Sequence, residues 1–237
     1  MKFILHPGQL TLTEMRHLLN EHTSIELHPD CYEQIHASEH VVKKIIHDEK
    51  IVYGINTGFG ALANKIIQKS DLQTLQRCIV FSHAAGTGAL LSDDIVRMIF
   101  LLKINSLARG FSGVRLQTIE ALIQLFNAHI YPCIPSQGSV GASGDLAPLA
   151  HLALTLIGEG NVRYQGKIIQ ACEALDLIKL KPIELAPKEG LALLNGTQVS
   201  TALALIAWFQ TEELFNAALV SWALSVEAAR GSYQPFD

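Results

Sequence analysis

Ala142, Ser143 and Gly144 are consecutive residues of the types that a backbone cyclisation needs. If the Gly144 nitrogen attacks the Ala142 carbonyl carbon and two waters leave, one of them with the Ser143 hydroxyl, a methylidene-imidazolone ring results. Glycine leaves its nitrogen unobstructed, serine carries a leaving group on Cβ, and alanine keeps its carbonyl approachable. The tripeptide therefore predicts an electrophile that the chain makes itself. Taken alone, so short a motif is more often a plain Gly/Ser turn or an anion-binding loop before a helix.

The residues around the tripeptide predict a tight turn that leads into a helix. Gly138, Gly141 and Gly144 allow backbone conformations that other residues avoid. Asp145 is placed to cap the helix, and Pro148 can occupy the first turn because its missing N–H is not needed there. The tripeptide would then lie at the positive end of the helix, where developing negative charge is stabilised.

Four segments of different composition, taken in this order and spacing, resemble the aromatic amino acid ammonia-lyases. The resemblance runs along essentially the whole chain, and the pair Ser82-His83 is similar to that of family members acting on histidine. The segments are VYGINTGFG at 52–60, SHAAG at 82–86, GSVGASGDLAP at 138–148 and LLNGTQ at 193–198.

The resemblance implies roles for four further side chains. Tyr53 would remove the β-proton of the substrate, and because a phenol has a pKa of about 10, the site would have to stabilise its phenolate. His83 would hydrogen-bond an imidazole ring, which favours histidine over phenylalanine. The Asn195 amide would contact the substrate or the new ring, and Asp145 would help polarise the backbone during cyclisation. Without the resemblance, these residues are interpreted as a core tyrosine, a packing histidine and two helix caps.

The implied reaction is elimination of ammonia from L-histidine to give trans-urocanate, with the methylidene-imidazolone as cofactor and no metal or nucleotide. Two alternatives stay open: a tyrosine or phenylalanine ammonia-lyase or aminomutase of the same family, and a non-enzymatic helical module for anion binding or oligomerisation. The resemblance further implies a homotetramer whose subunits share each site. It also implies a longer chain, so that the present one is expected to be a fragment that is inactive alone.

Composition narrows the classes of protein. With 237 residues, 49% of them hydrophobic, the chain can bury a large core. A net charge of −4 without a basic cluster argues against nucleic acid as a partner. The apolar run 202–209 falls short of the roughly 20 residues that a membrane span requires, and widely spaced cysteines without a signal peptide favour the cytoplasm. His36 and His40, four apart on a predicted helix, are interpreted as a solvated face rather than a metal site.

The elements that must position these residues are predicted to be mainly α-helical. Residues 161–169 predict one small β-hairpin. Neither Gly nor Pro occurs from 197 to 230, so one helix of about 50 Å is possible there, with apolar surface that needs partners. We expect an N-terminal helical domain at 1–195 carrying the Ala-Ser-Gly loop, followed at 196–237 by the first long helix of a central bundle. The other helices are predicted at 11–20, 30–47, 70–85, 92–108, 113–127 and 145–157.

Overall fold

The structure is a computed structural model that describes residues 2–19, 23–141, 143–232 and 234–236. The described residues are mainly helical, as predicted. The α-helices found within these ranges are α1 (Leu12–Leu18), α2 (Cys31–His47), α3 (Leu72–His83), α4 (Asp93–Leu107), α5 (Leu116–Asn127), α6 (Leu146–Leu156), α7 (Ala171–Leu177), α8 (Glu189–Leu194) and α9 (Gln198–Ala228).

In the part of the chain that the structure describes, short strands form three small sheets. One sheet is a parallel pair, another is an antiparallel pair, and the third has three antiparallel strands. The parallel pair is β1 (Lys2–Leu5) with β2 (Ser24–Leu27), the antiparallel pair is β3 (Thr87–Leu90) with β5 (Pro135–Gln137), and the third sheet contains β4 (Tyr131–Pro132), β6 (Asn161–Tyr164) and β7 (Lys167–Gln170).

Local sequence signals predicted some helix starts better than others. At α1, the Glu14 amide donates to Thr11 Oγ1 at 3.3 Å and the Thr11 amide donates to Glu14 Oε2 at 2.8 Å, which is the predicted reciprocal cap. At α3, the expected start at Ser70 was two residues early. A short 3₁₀ turn, Lys69–Asp71, precedes the helix, and the Ser70 hydroxyl donates to Asp71 Oδ1 at 3.1 Å instead of capping it.

The predicted hairpin is confirmed as β6 and β7, but the other strands were not predicted. Each has four residues or fewer, and its partner lies far along the chain, so hydrophobic alternation gives almost no signal. One distant side chain hydrogen-bonds β2. Asn127 at the end of α5 accepts from the Ile25 amide at 2.8 Å and donates to the Ile25 carbonyl at 2.9 Å.

The core is built around α4, most of whose residues are buried. It packs against α5 and α9, and it carries two charged side chains into the interior, Arg97 and Lys103, each 1% exposed. Arg97 compensates its burial by donating to the carbonyl of Leu18 at 2.8 Å and of Thr23 at 2.7 Å. Lys103 reaches toward the opposite side, where α8 ends.

Helix α9 is continuous over 31 residues, which confirms the long helix that the sequence predicted. Of its residues, Val199, Ala202 and Phe209 are buried, whereas Trp208 is 55% exposed and Leu214 is 72% exposed. By length and composition alone, the segment Glu189–Ala228 could cross a membrane, with a mean hydropathy of 1.4. The same length and composition occur in helices that are covered by other helices of a bundle.

Candidate active site

Asp145 organises the turn that follows the tripeptide. Its carboxylate is 1% exposed and accepts hydrogen bonds from Ser139 Oγ at 2.7 Å, Ser200 Oγ at 2.6 Å and the Ser200 amide at 2.8 Å. Asp145 does occupy the cap position of α6, but the expected side-chain cap is absent. The carboxylate bonds across to the first turn of α9 instead, so it ties the Gly138–Asp145 loop to the long helix.

The same hydrogen bonds keep this buried carboxyl ionised. Burial by itself would raise the pKa of Asp145, but the hydrogen bonds from Ser200 and Ser139 outweigh it and the pKa is lowered. A fixed negative charge therefore lies directly after the tripeptide.

Gly144 is confined by the backbone of Gly196. Its φ is +104°, and a Cβ built on it would come within 2.7 Å of the Gly196 oxygen and 2.8 Å of the Gly196 nitrogen. The Asp145 amide donates to the same Gly196 oxygen at 2.7 Å. No larger residue fits at 144, so packing requires glycine at the very position where cyclisation needs an unobstructed nitrogen.

Of the other two members of the tripeptide, Ser143 lies among the described residues. Ser143 is exposed, so its hydroxyl is open to solvent before any ring is formed. Ala142 lies outside the described residues, and its predicted part in the cyclisation stays a prediction. The described residues fit a methylidene-imidazolone at 142–144, because the strained, glycine-specific turn is held from outside by Gly196 and Asp145.

Asn195 lies beside the tripeptide, at the end of α8. Its backbone N–H donates to the Leu191 carbonyl at 2.8 Å, and its side-chain oxygen Oδ1 is 3.2 Å from the point that a Gly144 Cβ would occupy. The fold thus brings the two motifs together, although they are 51 positions apart in the sequence. The predicted contact of its amide with substrate or ring stays a prediction.

Lys103 is a neighbour of this turn that sequence reasoning missed. Its Nζ donates to the Asn195 carbonyl at 3.1 Å, and burial lowers its pKa from 10.5 to about 7. The available signal was its helical spacing: Ile99, Phe100 and Leu107, three or four positions away on the same face, are typical core residues, which indicates that the lysine is buried with them.

His83 is the last residue of α3, and the segment that follows it contacts the loop before α6 at Gly138. Its Nδ1 is 2.8 Å from the Ile79 carbonyl, so Nδ1 carries the proton and Nε2 of a neutral ring is left as an acceptor. The Gly86 amide donates to His151 Nε2 on α6 at 3.1 Å, and a Cβ on Gly138 would come within 3.2 Å of the Gly86 Cα. Two of the motifs thus meet at Gly86 and Gly138. His83 is half-buried rather than enclosed.

Tyr53 is less constrained than Asp145. Its side chain is 58% exposed, and its ring meets the Phe59 ring edge-on at 6.0 Å. It lines an open cavity of about 430 Å³, and no hydrogen bond joins it to Ser143 or Asp145 in the part of the chain that the structure describes. The predicted loop is nevertheless anchored, because a Cβ on Gly54 would come within 2.5 Å of Leu191 on α8.

The structure also bears on metal binding and on the thiols. Across the described ranges, no group of three or more His, Cys, Asp or Glu side chains is arranged to hold a metal ion. His36 Nδ1 lies 3.6 Å from Glu39 Oε2 on the surface of α2. The cysteines Cys31, Cys78, Cys133 and Cys172 are free thiols.

Comparison with known proteins gives a consistent family assignment. A family model described as aromatic amino acid lyase matches residues 10–237. A histidine ammonia-lyase of Legionella pneumophila (strain Corby) is 61% identical over 235 residues, covering 99% of this chain and 46% of the relative. The chain thus spans about half the length of the curated relatives that it matches.

Two solved structures share the fold. A histidine ammonia-lyase from Trypanosoma cruzi superimposes with a TM-score of 0.91 at 38% identity, covering 99% of this chain and 46% of that one. A phenylalanine aminomutase from Pantoea agglomerans gives a TM-score of 0.93 at 33% identity, covering 99% of this chain and 45% of that one.

Proposed function

The chain belongs to the aromatic amino acid lyases, and we propose that the complete enzyme eliminates ammonia from L-histidine to give trans-urocanate. The observation that carries the proposal is the turn at Gly144, where a glycine with φ +104° is pressed against the Asn195–Gly196 backbone. Relatives that are 61% and 56% identical are named histidine ammonia-lyase, which supports the choice of substrate.

Ring formation is proposed to use the residues of the loop itself. The Gly144 nitrogen bonds to the Ala142 carbonyl carbon, the carbonyl oxygen leaves as one water, and the Ser143 hydroxyl leaves with a Cα hydrogen as the second. A turn that is already bent is closer to this geometry than a free peptide, because the surrounding structure has met the cost of strain beforehand. The ionised Asp145, the next residue in the chain, is proposed to help polarise the backbone during this step, because its negative charge stabilises positive charge that develops on the nitrogen as it attacks.

Once formed, the ring would supply an electrophilic carbon that turns the substrate amine into a better leaving group. Tyr53 is the proposed base for the β-proton, and its loop must close toward Ser143 for this step. Asn195, next to Gly144, is proposed to orient substrate or ring through its amide.

His83 supports histidine as the substrate over phenylalanine or tyrosine. Its Nδ1 donates to a backbone carbonyl, which leaves Nε2 as an acceptor for the N–H of a substrate imidazole. A substrate ring without nitrogen would leave that acceptor unpaired, a loss that discriminates strongly between ligands. Phenylalanine and tyrosine aminomutases share the fold, so these two amino acids are the alternative substrates to test.

We further propose that the enzyme is a cytoplasmic homotetramer with sites shared between subunits. Helix α9 supports this proposal, because large apolar side chains such as Phe215, 63% exposed, and Trp222, 48% exposed, need a partner surface. Residues missing from this chain but present in the longer relatives would supply further helices of the bundle.

Intact-mass measurement tests the cofactor, and product assays test the substrate. We expect a mass lower by two waters, localised by peptide mapping to 142–144, and no such loss in Ser143→Ala. Urocanate should form from histidine, whereas phenylalanine and tyrosine should give no cinnamate or coumarate. An unmodified mass in an active enzyme would refute the ring, and turnover of tyrosine without histidine would refute the substrate assignment.

A further inference from the structure

A buried lysine lies behind the turn that is proposed to cyclise. Lys103 is 1% exposed in the middle of α4, and its Nζ donates to the Asn195 carbonyl oxygen at 3.1 Å. Within the described part of the chain it forms no ion pair, and burial is the one cause of its lowered pKa. An amine with a single backbone acceptor in an apolar interior costs stability, so its presence calls for a compensating role.

The acceptor of Lys103 belongs to the peptide unit that confines Gly144. That unit runs from the Asn195 carbonyl to the Gly196 nitrogen. Its oxygen faces Lys103, and its nitrogen is 2.8 Å from the point that a Gly144 Cβ would occupy. An N–H donor on the oxygen side polarises the amide, which makes the N–H on the other side a stronger donor.

The next peptide continues the contact, because the Gly196 oxygen accepts from the Asp145 amide at 2.7 Å. The two consecutive peptide units on either side of Gly196 are therefore both held by hydrogen bonds, one from Lys103 to the Asn195 oxygen and one from the Asp145 amide to the Gly196 oxygen. The side-chain oxygen Oε1 of Gln198 borders the same turn, since it would lie 2.1 Å from a Cβ built on Gly196. This oxygen is buried and has no hydrogen-bond partner among the described residues.

We propose that Lys103 is a positioning residue for ring formation: it clamps and polarises the Asn195–Gly196 peptide against Gly144, so that Gly144 is held in the positive-φ backbone conformation that cyclisation needs. The inference rests on the proposed function for its chemical purpose. The clamp itself is a property of this chain and can be tested whether or not the ring forms.

The test compares amide hydrogen exchange in the wild-type chain and in Lys103→Met, a variant of similar length that lacks the donor. We expect the Asp145 amide to exchange at least about tenfold faster in the variant, while amides in the centre of α5 keep their protection. The fraction of chains that have lost two waters should fall severalfold. A merely structural lysine would instead change protection throughout the molecule.

Lys188→Met is the matched control. Lys188 also donates to a backbone carbonyl, that of Ser112 at 2.7 Å, and burial also lowers its pKa, but its acceptor is remote from Gly144 in the hydrogen-bond network. This variant should leave Asp145 exchange unchanged. If Lys103→Met does not fold, Lys103→Gln, which keeps a shorter neutral donor, replaces it and should give an intermediate rate.

Unchanged Asp145 exchange in the Lys103 variants, or equal acceleration in Lys188→Met, overturns the clamp. Faster exchange with an unreduced water loss overturns its part in cyclisation. Failure of the proposed function is seen separately, as a wild-type chain of unmodified mass, and the exchange measurement then decides the clamp alone.

Discussion

The Asp145 side and the Tyr53 side of the candidate site are built differently. The buried Asp145 carboxylate accepts hydrogen bonds from Ser139 and Ser200, and the Asp145 backbone amide donates to Gly196. Tyr53 is 58% exposed and contacts Phe59 through its ring edge. The Asp145 side is held in place by hydrogen bonds within this chain, whereas the Tyr53 side is exposed to solvent.

The difference separates two kinds of chemistry. Cyclisation needs a strained turn held in place, and the chain supplies that from α6, α8, α9 and Lys103. Proton removal needs a phenolate that is shielded from water, and Tyr53 does not have that shielding in the described residues. We therefore expect substitutions on the Asp145 side to lower the free energy of unfolding and those on the Tyr53 side to leave it nearly unchanged.

The largest expected effect is that of Asp145→Ala. Loss of the carboxylate leaves the Ser200 amide and two serine hydroxyls without their acceptor, which should lower the free energy of unfolding by about 4 kcal/mol. Urea denaturation measures it. Asp145→Asn keeps one acceptor oxygen and should cost less than the alanine variant. Equal stability of Asp145→Ala and wild type would show that this side is not preorganised by the carboxylate.

The second effect concerns the pH dependence of stability. Because burial lowers the pKa of Lys103 from 10.5 to about 7, the unfolded chain binds a proton between these values that the folded chain does not. Wild type should therefore gain stability relative to Lys103→Met as the pH rises from 7, by up to about 1.4 kcal/mol per unit and about 3 kcal/mol in all by pH 9 to 10.

Urea unfolding of both proteins at a series of pH values measures this difference. Tyrosine and cysteine titrations occur in both proteins and cancel. A difference that does not change with pH would mean that the Lys103 amine keeps its ordinary pKa in the folded chain, contrary to its burial.

Gly144→Ala is expected to have a smaller effect, about 2 kcal/mol, because it combines an unfavourable positive φ with a clash against Gly196. Gly141→Ala is a matched control, since Gly141 has φ +68° but nothing within 4 Å of an added Cβ. It should cost only the strain, about 1 kcal/mol. Thermal or urea unfolding compares the stability of the two variants. An equal loss at both positions would show that the close contact with Gly196 does not contribute to the cost at Gly144.

The smallest effect on stability is expected for Tyr53→Phe, within about 0.5 kcal/mol, because the hydroxyl of an exposed side chain is removed. The same change should lower kcat of the complete enzyme by a factor on the order of 10² to 10⁴ if Tyr53 is the base. Steady-state kinetics with histidine measures this, and an unaltered pH profile of kcat in the variant would contradict the role. A large loss of stability would instead show that the Tyr53 side is already packed.

Several elements could be read from short stretches of sequence. The reciprocal cap of Thr11 and Glu14 begins α1 as expected, and the absence of Gly and Pro from 197 to 230 was enough to predict α9 as one helix. The strand pair β1 and β2 could not be predicted, because each strand has only four residues and Ile25 of β2 is also hydrogen-bonded by Asn127, about a hundred residues away. Asp145 was predicted as a simple cap, and only the packed chain shows that its carboxylate bonds to Ser200 instead.

The sequence alone determined the residue types that the proposed chemistry requires, since an Ala-Ser-Gly tripeptide, a tyrosine before a glycine-rich loop and an asparagine at a helix end are recognisable by local type and order. Tertiary structure decided which of them meet: Gly144 with Asn195 and Gly196, and the Asn195 carbonyl with Lys103. The reason is physical, because a covalent preference acts between neighbours in the chain, whereas burial and hydrogen bonding act between neighbours in space. The proposed positioning role of Lys103 could therefore be inferred only from the fold, which places the Asn195 carbonyl within hydrogen-bond distance of its amine.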